Sequence, residues 1–78
     1  MRPFVTAQEA RTAAEQIAVF ANRAQEVGDR EMCQRWRRVI KSLHECERHL
    51  EAGRPCMALE WQAKARALLT GGGEHGHV

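Results

Sequence analysis

A glycine followed at fixed intervals by methionine, tryptophan and leucine occurs twice in this chain, 25 residues apart. Gly28, Met32, Trp36 and Leu43 return as Gly53, Met57, Trp61 and Leu68, with Ile40 answered by Ala65. Apolar side chains three and four residues apart share one side of an α-helix, and a glycine ahead of such a run stops the helix before it. The repeat thus prescribes two turns of one kind, each opening a new helix. The two tryptophans are the largest apolar groups in the chain. The core is therefore expected where these helices face each other, with Trp36 and Trp61 buried near Ile17 and Phe20.

Composition supports helix throughout. Tyrosine is absent, β-branched residues are few, and Ala, Glu, Gln, Arg and Leu prevail, all of which lose little freedom on entering a helix or lose none. Thr6-Ala7-Gln8-Glu9 fits a capping box, in which the threonine oxygen accepts from residue 9 and the glutamate reaches back. Val5 and Ala10 stand where a hydrophobic staple would close over it. The first helix is placed near 7–27, with Gly28 as its stop. Ala10, Ala13, Ala14, Ile17, Phe20, Ala21, Ala24 and Val27 form its apolar side.

Asp29 is an N-cap for a second helix near 29–51. Its apolar stripe is Met32, Cys33, Trp36, Val39, Ile40, Leu43, Cys46 and Leu50. Gly53 ends it, and Pro55 suits the first turn of a third helix near 55–69, where a missing N–H costs nothing. Met57, Ala58, Trp61, Ala65, Leu68 and Leu69 make that helix's core side. Connections this short join antiparallel neighbours. The expected fold is all-α, an antiparallel three-helix bundle forming a single domain over residues 1–70. Residues 71–78, Gly71-Gly72-Gly73-Glu74-His75-Gly76-His77-Val78, are expected to be a disordered tail.

The segment from Ala52 and Gly53 through Ala58, Ala65 and Leu68 is similar to the second helix of a tetratricopeptide-like repeat, with small residues at close-packing positions. The period here is shorter than that family's, and Arg37 stands where the family places an aromatic. The resemblance is one of packing logic and not of membership.

A domain this small buries only about 60–65% of its unfolded surface, and such domains often add a disulfide, a metal or a second subunit. The three cysteines, Cys33, Cys46 and Cys56, are odd in number and irregular in spacing, which fits reduced thiols in a cytoplasm better than a disulfide framework. Met1-Arg2-Pro3-Phe4-Val5 has no apolar run behind it and is not expected to act as a signal peptide. The longest apolar run, Ile17 to Ala21, is too short for a bilayer. A soluble, cytoplasmic protein is the expectation.

Catalysis is not expected. Arg38 and His44 have the Arg-x5-His spacing of HEPN-type ribonucleases, but six residues along a helix turn two side chains about 120° apart. Phosphate-cradling glycine loops and serine–histidine–acid sets are absent. Cys46, His49 and Cys56 could approach across the Gly53 turn, yet a structural zinc needs four ligands and the Cys-x2-Cys pair is missing. Buried structural cysteines are the expectation, with no metal and no cofactor.

Two surfaces remain as candidates. Leu59, Ala63 and Ala67 form a second strip on the third helix, roughly 160° from its core side by helical periodicity. One large apolar group beside small ones suits close contact with a partner helix or a second copy. On the second helix, Arg30, Arg37, Lys41 and Arg48 project to one side and could lie along phosphates. The formal net charge of +2 neither demands nor excludes that partner. The expected function is protein–protein interaction: a regulator or inhibitor that occludes a partner protein and forms a homodimer. In its compact Ala/Arg-rich character the chain resembles bacterial, phage or mobile-element regulators. The alternative is a nucleic-acid-binding regulator acting through the basic side of the second helix. No membrane partner is expected.

Overall fold

Each helix begins and ends where local hydrogen bonding directs it. The computed structural model describes residues 3–70, which form α1 (Ala7–Glu26), α2 (Arg30–Glu51) and α3 (Pro55–Thr70). Thr6 Oγ1 accepts from the Glu9 N–H at 3.2 Å, and Glu9 Oε1 accepts in return from the Thr6 N–H at 3.1 Å and the Val5 N–H at 2.7 Å. Asp29 Oδ1 accepts from the Met32 N–H at 3.1 Å. Pro55 opens α3. Boundaries differ from the expected ones by a single residue at a few ends: Val27 and Asp29 are caps, and Thr70 extends α3. The expected tail lies outside the described residues.

The two repeated glycines build the same turn. Gly28 (φ 78°) and Gly53 (φ 74°) both adopt the left-handed conformation. Around Gly28, the Asp29 N–H donates to the Ala24 carbonyl (2.9 Å) and the Gly28 N–H to the Gln25 carbonyl (3.1 Å). Around Gly53, Arg54 donates to His49 (2.8 Å) and Gly53 to Leu50 (3.2 Å). This is the Schellman pattern, which satisfies carbonyls that the helix end leaves open. A Cβ atom added at either glycine would meet no atom within 4 Å. The requirement for glycine is therefore conformational, about 1–2 kcal/mol for an L-residue at this φ.

The helices make an antiparallel three-helix bundle with α2 in the middle. It packs along both α1 and α3, whose own backbones do not come close to each other. The molecule is a flattened layer, 38 × 31 × 16 Å in its principal Cα extents. One cluster joins Ala14, Val39, Leu43 and Ala65, and a second joins Ala10, Cys46 and Ala58. Each cluster takes residues from all three helices. Phe4, ahead of α1, packs against both, and its N–H donates to Gln62 Oε1 of α3 at 2.9 Å. The N-terminal segment thus bridges the outer helices. Val5 is 75% exposed, so the expected staple does not form; Phe4 supplies the apolar closure instead.

The tryptophans correct the expected core. Neither is fully buried; the largest side chains that are fully buried are Leu43, Val39 and Cys46. Trp36 packs as expected against Phe20, ring centroids 5.4 Å apart and planes inclined 31°. Trp61 does not join them. It lies on the Ala10–Cys46–Ala58 cluster beside Phe4 and Leu50, with Lys64 Nζ 4.1 Å above its ring. The reason is chain direction. Both tryptophans stand eight residues after their glycine, about 12 Å along a helix, but the two turns lie at opposite ends of the bundle. A repeat carried on antiparallel helices therefore sends its equivalent residues to opposite ends.

Three further apolar residues assigned to helix interiors face solvent: Phe20 is 46% exposed, Met57 41% and Val27 74%. Conversely, Gln62 and Ser42 are buried. Gln62 takes a core position of α3 because its amide oxygen has the Phe4 N–H to accept from, which offsets the cost of burying a polar group.

Candidate functional site

The charges of α2 divide at its middle. Residues 30–41 hold Arg30, Arg35, Arg37, Arg38 and Lys41 against one carboxylate, Glu31. Residues 42–51 hold three carboxylates, Glu45, Glu47 and Glu51, with Arg48 and two histidines. These carboxylates are bound within the fold. Arg11 of α1 reaches across to Glu47 at 2.7 Å and to Glu51 at 3.4 Å. His44 Nδ1 lies 3.4 Å from Glu47, and Arg48 pairs with Glu45 at 3.1 Å. The Arg11 hydrogen bond is the main reason that the Glu47 carboxyl lies below the usual carboxylate range, against an opposing effect of desolvation. The Arg11 guanidinium is raised in turn, first by that hydrogen bond and then by the carboxylate's charge.

The cations of the first half are differently placed. Among the described residues none of the five has a carboxylate within ion-pair distance. Arg35 Nε donates to the Leu68 carbonyl at 3.0 Å, and Arg37 Nη2 to Gln25 Oε1 at 3.4 Å, both neutral acceptors. Arg30, Arg37, Arg38 and Lys41 are all exposed. A cleft of about 300 Å³ runs past Gln25, Asp29, Arg30, Gln34 and Arg37, and another of about 580 Å³ past Met32, Arg35, Arg38 and Leu68. Of the four residues singled out from the sequence, Arg30, Arg37 and Lys41 retain unneutralised charge, whereas Arg48 is held by Glu45. Arg38 stands beside the single-file stripe, and Arg35 was missed because it leaves it. Arg38 flanks it on the side of α3, while Arg35 turns further round to the Leu68 carbonyl, and the signal in the sequence was the count of five cations in twelve residues.

The second surface lies on the outer side of α3. Leu59 is 50% exposed, Ala63 is exposed and Ala67 is half-buried. The strip is thus open at the start of α3 and partly covered at its end. Cys56 is also exposed, which corrects the expectation of three buried cysteines, while Cys33 and Cys46 are buried. Burial pushes the Cys46 thiol upward, so it stays protonated at neutral pH.

Other constellations do not assemble. Arg38 and His44 line separate clefts, the second of them shared with Arg11, Glu15 and Glu47. Among the described residues no three His, Cys, Asp or Glu side chains come together to hold a metal ion. None of the described helices is long and apolar enough to cross a membrane. Compared with known families, curated proteins and solved structures, the chain matches none.

Proposed function

We propose that this protein is a small helical interaction module that binds a partner protein and covers a functional face of it, as a regulator or inhibitor. One observation carries the reading: bulk is distributed inversely to what folding alone rewards. Six of the ten buried apolar residues are alanines, while both tryptophans and both phenylalanines stay partly accessible. Accessible aromatic groups on a rigid helical scaffold are the usual centres of protein interfaces. On α3, Leu59 and Ala63 add an open apolar strip that close approach of another helix would cover, in a partner or in a second copy of the chain. Affinity capture from the source cell with the wild type and Leu59→Glu, read by quantitative mass spectrometry, tests the reading. A stoichiometric protein retained by the wild type and lost by a fully helical Leu59→Glu supports it. No such loss removes the strip from the interface. Sedimentation over a concentration series tests for the homodimer.

A second reading has its own observation. The unneutralised cations of residues 30–41 favour a nucleic-acid contact on the outer side of α2, a surface separate from Leu59 and Ala63.

A further inference from the structure

Like charges one helical turn apart, such as Arg37 and Lys41, repel each other and cost a helix a few tenths of a kcal/mol. In residues 42–51 the fold supplies compensating partners across α1 and along α2. In residues 30–41 it supplies, among the described residues, no carboxylate partner, only the neutral acceptors of Arg35 and Arg37. The stripe of Arg30, Arg37 and Lys41 lies within about 20° of one line along the helix, opposite the side that carries Val39 and Leu43. It covers about 17 Å of helix. Arg38 widens it toward α3, whereas Arg35, half-buried and about 140° around the helix from Arg30, is turned toward the Leu68 carbonyl.

Three features narrow the ligand. The stripe has no exposed apolar centre: between its cations stand Gln34 and charged side chains. Protein interfaces are built around an apolar centre from which charged residues as a class are depleted. A surface with four exposed cations against Asp29 and Glu31 gains its affinity from a polyphosphate, whose condensed counterions are released on binding. It also has no aromatic platform, since Trp36 is engaged with Phe20 on another side of α2. Binding of single strands relies on stacking of bases on such platforms. Finally, α2 is the middle of a layer 16 Å thick and is flanked by α1 and α3 along its length. It does not stand out as a helix entering a major groove must.

We infer that the outer side of residues 30–41 of α2 binds the phosphodiester backbone of a duplex nucleic acid without reading its bases. The inference rests on the second reading above and specifies it: the ligand is double-stranded, contact is sequence-independent, and Arg48 takes no part. The four exposed cations, Arg30, Arg37, Arg38 and Lys41, set the upper limit on the charges exchanged.

Fluorescence anisotropy with labelled 20-base-pair DNA duplexes of two unrelated sequences, an RNA duplex and a single strand, from 20 to 200 mM salt, is the test. Both DNA duplexes should bind equally and more tightly than the single strand. The logarithm of affinity should fall with that of salt with a slope of about −2.7 to −3.6. Arg37→Gln and Lys41→Gln should each weaken binding to all duplexes alike and reduce the slope by about 1. Arg48→Gln should change neither. Tighter binding to RNA than to DNA, or the reverse, supports the inference and tells which duplex is preferred. Binding that depends on sequence, prefers the single strand or needs Arg48 overturns the inference and leaves the nucleic-acid reading standing. No binding at 20 mM salt, or displacement of duplex by polyglutamate at equal charge concentration, overturns both. Circular dichroism of each variant ensures that a lost signal is not lost folding.

Discussion

Residues 30–41 and residues 42–51 of α2 continue one apolar side and differ in what their charges do. In the later half, Glu47 and Glu51 are clamped by Arg11 from α1, and Glu45 by Arg48 within the helix. In the earlier half, four exposed cations and the half-buried Arg35 have no carboxylate partner among the described residues. A helix that must only fold gains by pairing its charges, however little each exposed pair contributes. The contrast therefore separates charge paired within the bundle from charge with no carboxylate partner among the described residues.

The apolar side common to both halves sets the largest expected effect. Leu43 is 2% exposed and touches residues from both neighbouring helices. Leu43→Ala should cost about 2–5 kcal/mol, enough to unfold much of so small a domain at 37 °C, as a thermal melt would show. Trp61→Ala should cost less than Leu43→Ala, because the ring is partly solvated already. A larger loss from Trp61 would move the centre of the core toward α3.

Next comes the clamp. Glu47 has a folded pKa below its unfolded value, so its contribution is fully present above the usual carboxylate pKa of about 4.3 and is lost as pH falls through the lower, folded value. Wild type should melt above Glu47→Gln at neutral pH, and the gap should close on acidification. A gap independent of pH would mean that Arg11 and Glu47 do not act as a charge pair.

Thiol accessibility distinguishes the buried face from the open one without mutation. Cys56 should react with a thiol reagent in the native state, whereas Cys33 and Cys46 should wait for unfolding. Fast native labelling of all three would contradict the packing of α2.

The smallest expected effects are at the surface. Arg37→Gln, Lys41→Gln and Leu59→Glu should each leave stability within about 0.5 kcal/mol of wild type, and Arg48→Gln should cost no more than an exposed ion pair, about 0.2–1 kcal/mol. A melting loss from Leu59→Glu comparable to that of Leu43→Ala would place Leu59 in the core and remove the proposed contact strip.

What the sequence alone determined is what local hydrogen bonding determines. Thr6 with Glu9, Asp29, Gly28, Gly53 and Pro55 act within a few residues of themselves, so the turns and helix bounds were legible to within one residue, and the apolar stripe of α2 followed from periodicity. Of the candidate residues, Leu59 and Ala63 were legible as a strip outside the core, and Arg30, Arg37 and Lys41 as one side of α2. Which sides the neighbours cover was decided only in three dimensions. Trp61 parted from Trp36 because antiparallel helices carry equal sequence offsets to opposite ends. Gln62 became a core residue because Phe4, 58 positions earlier, brings it a donor. Arg11 joined two glutamates far along the chain because ion pairing between helices depends on distances of a few ångströms that no pattern within one helix contains, whereas the Glu45–Arg48 pair follows the i,i+3 spacing already present in α2.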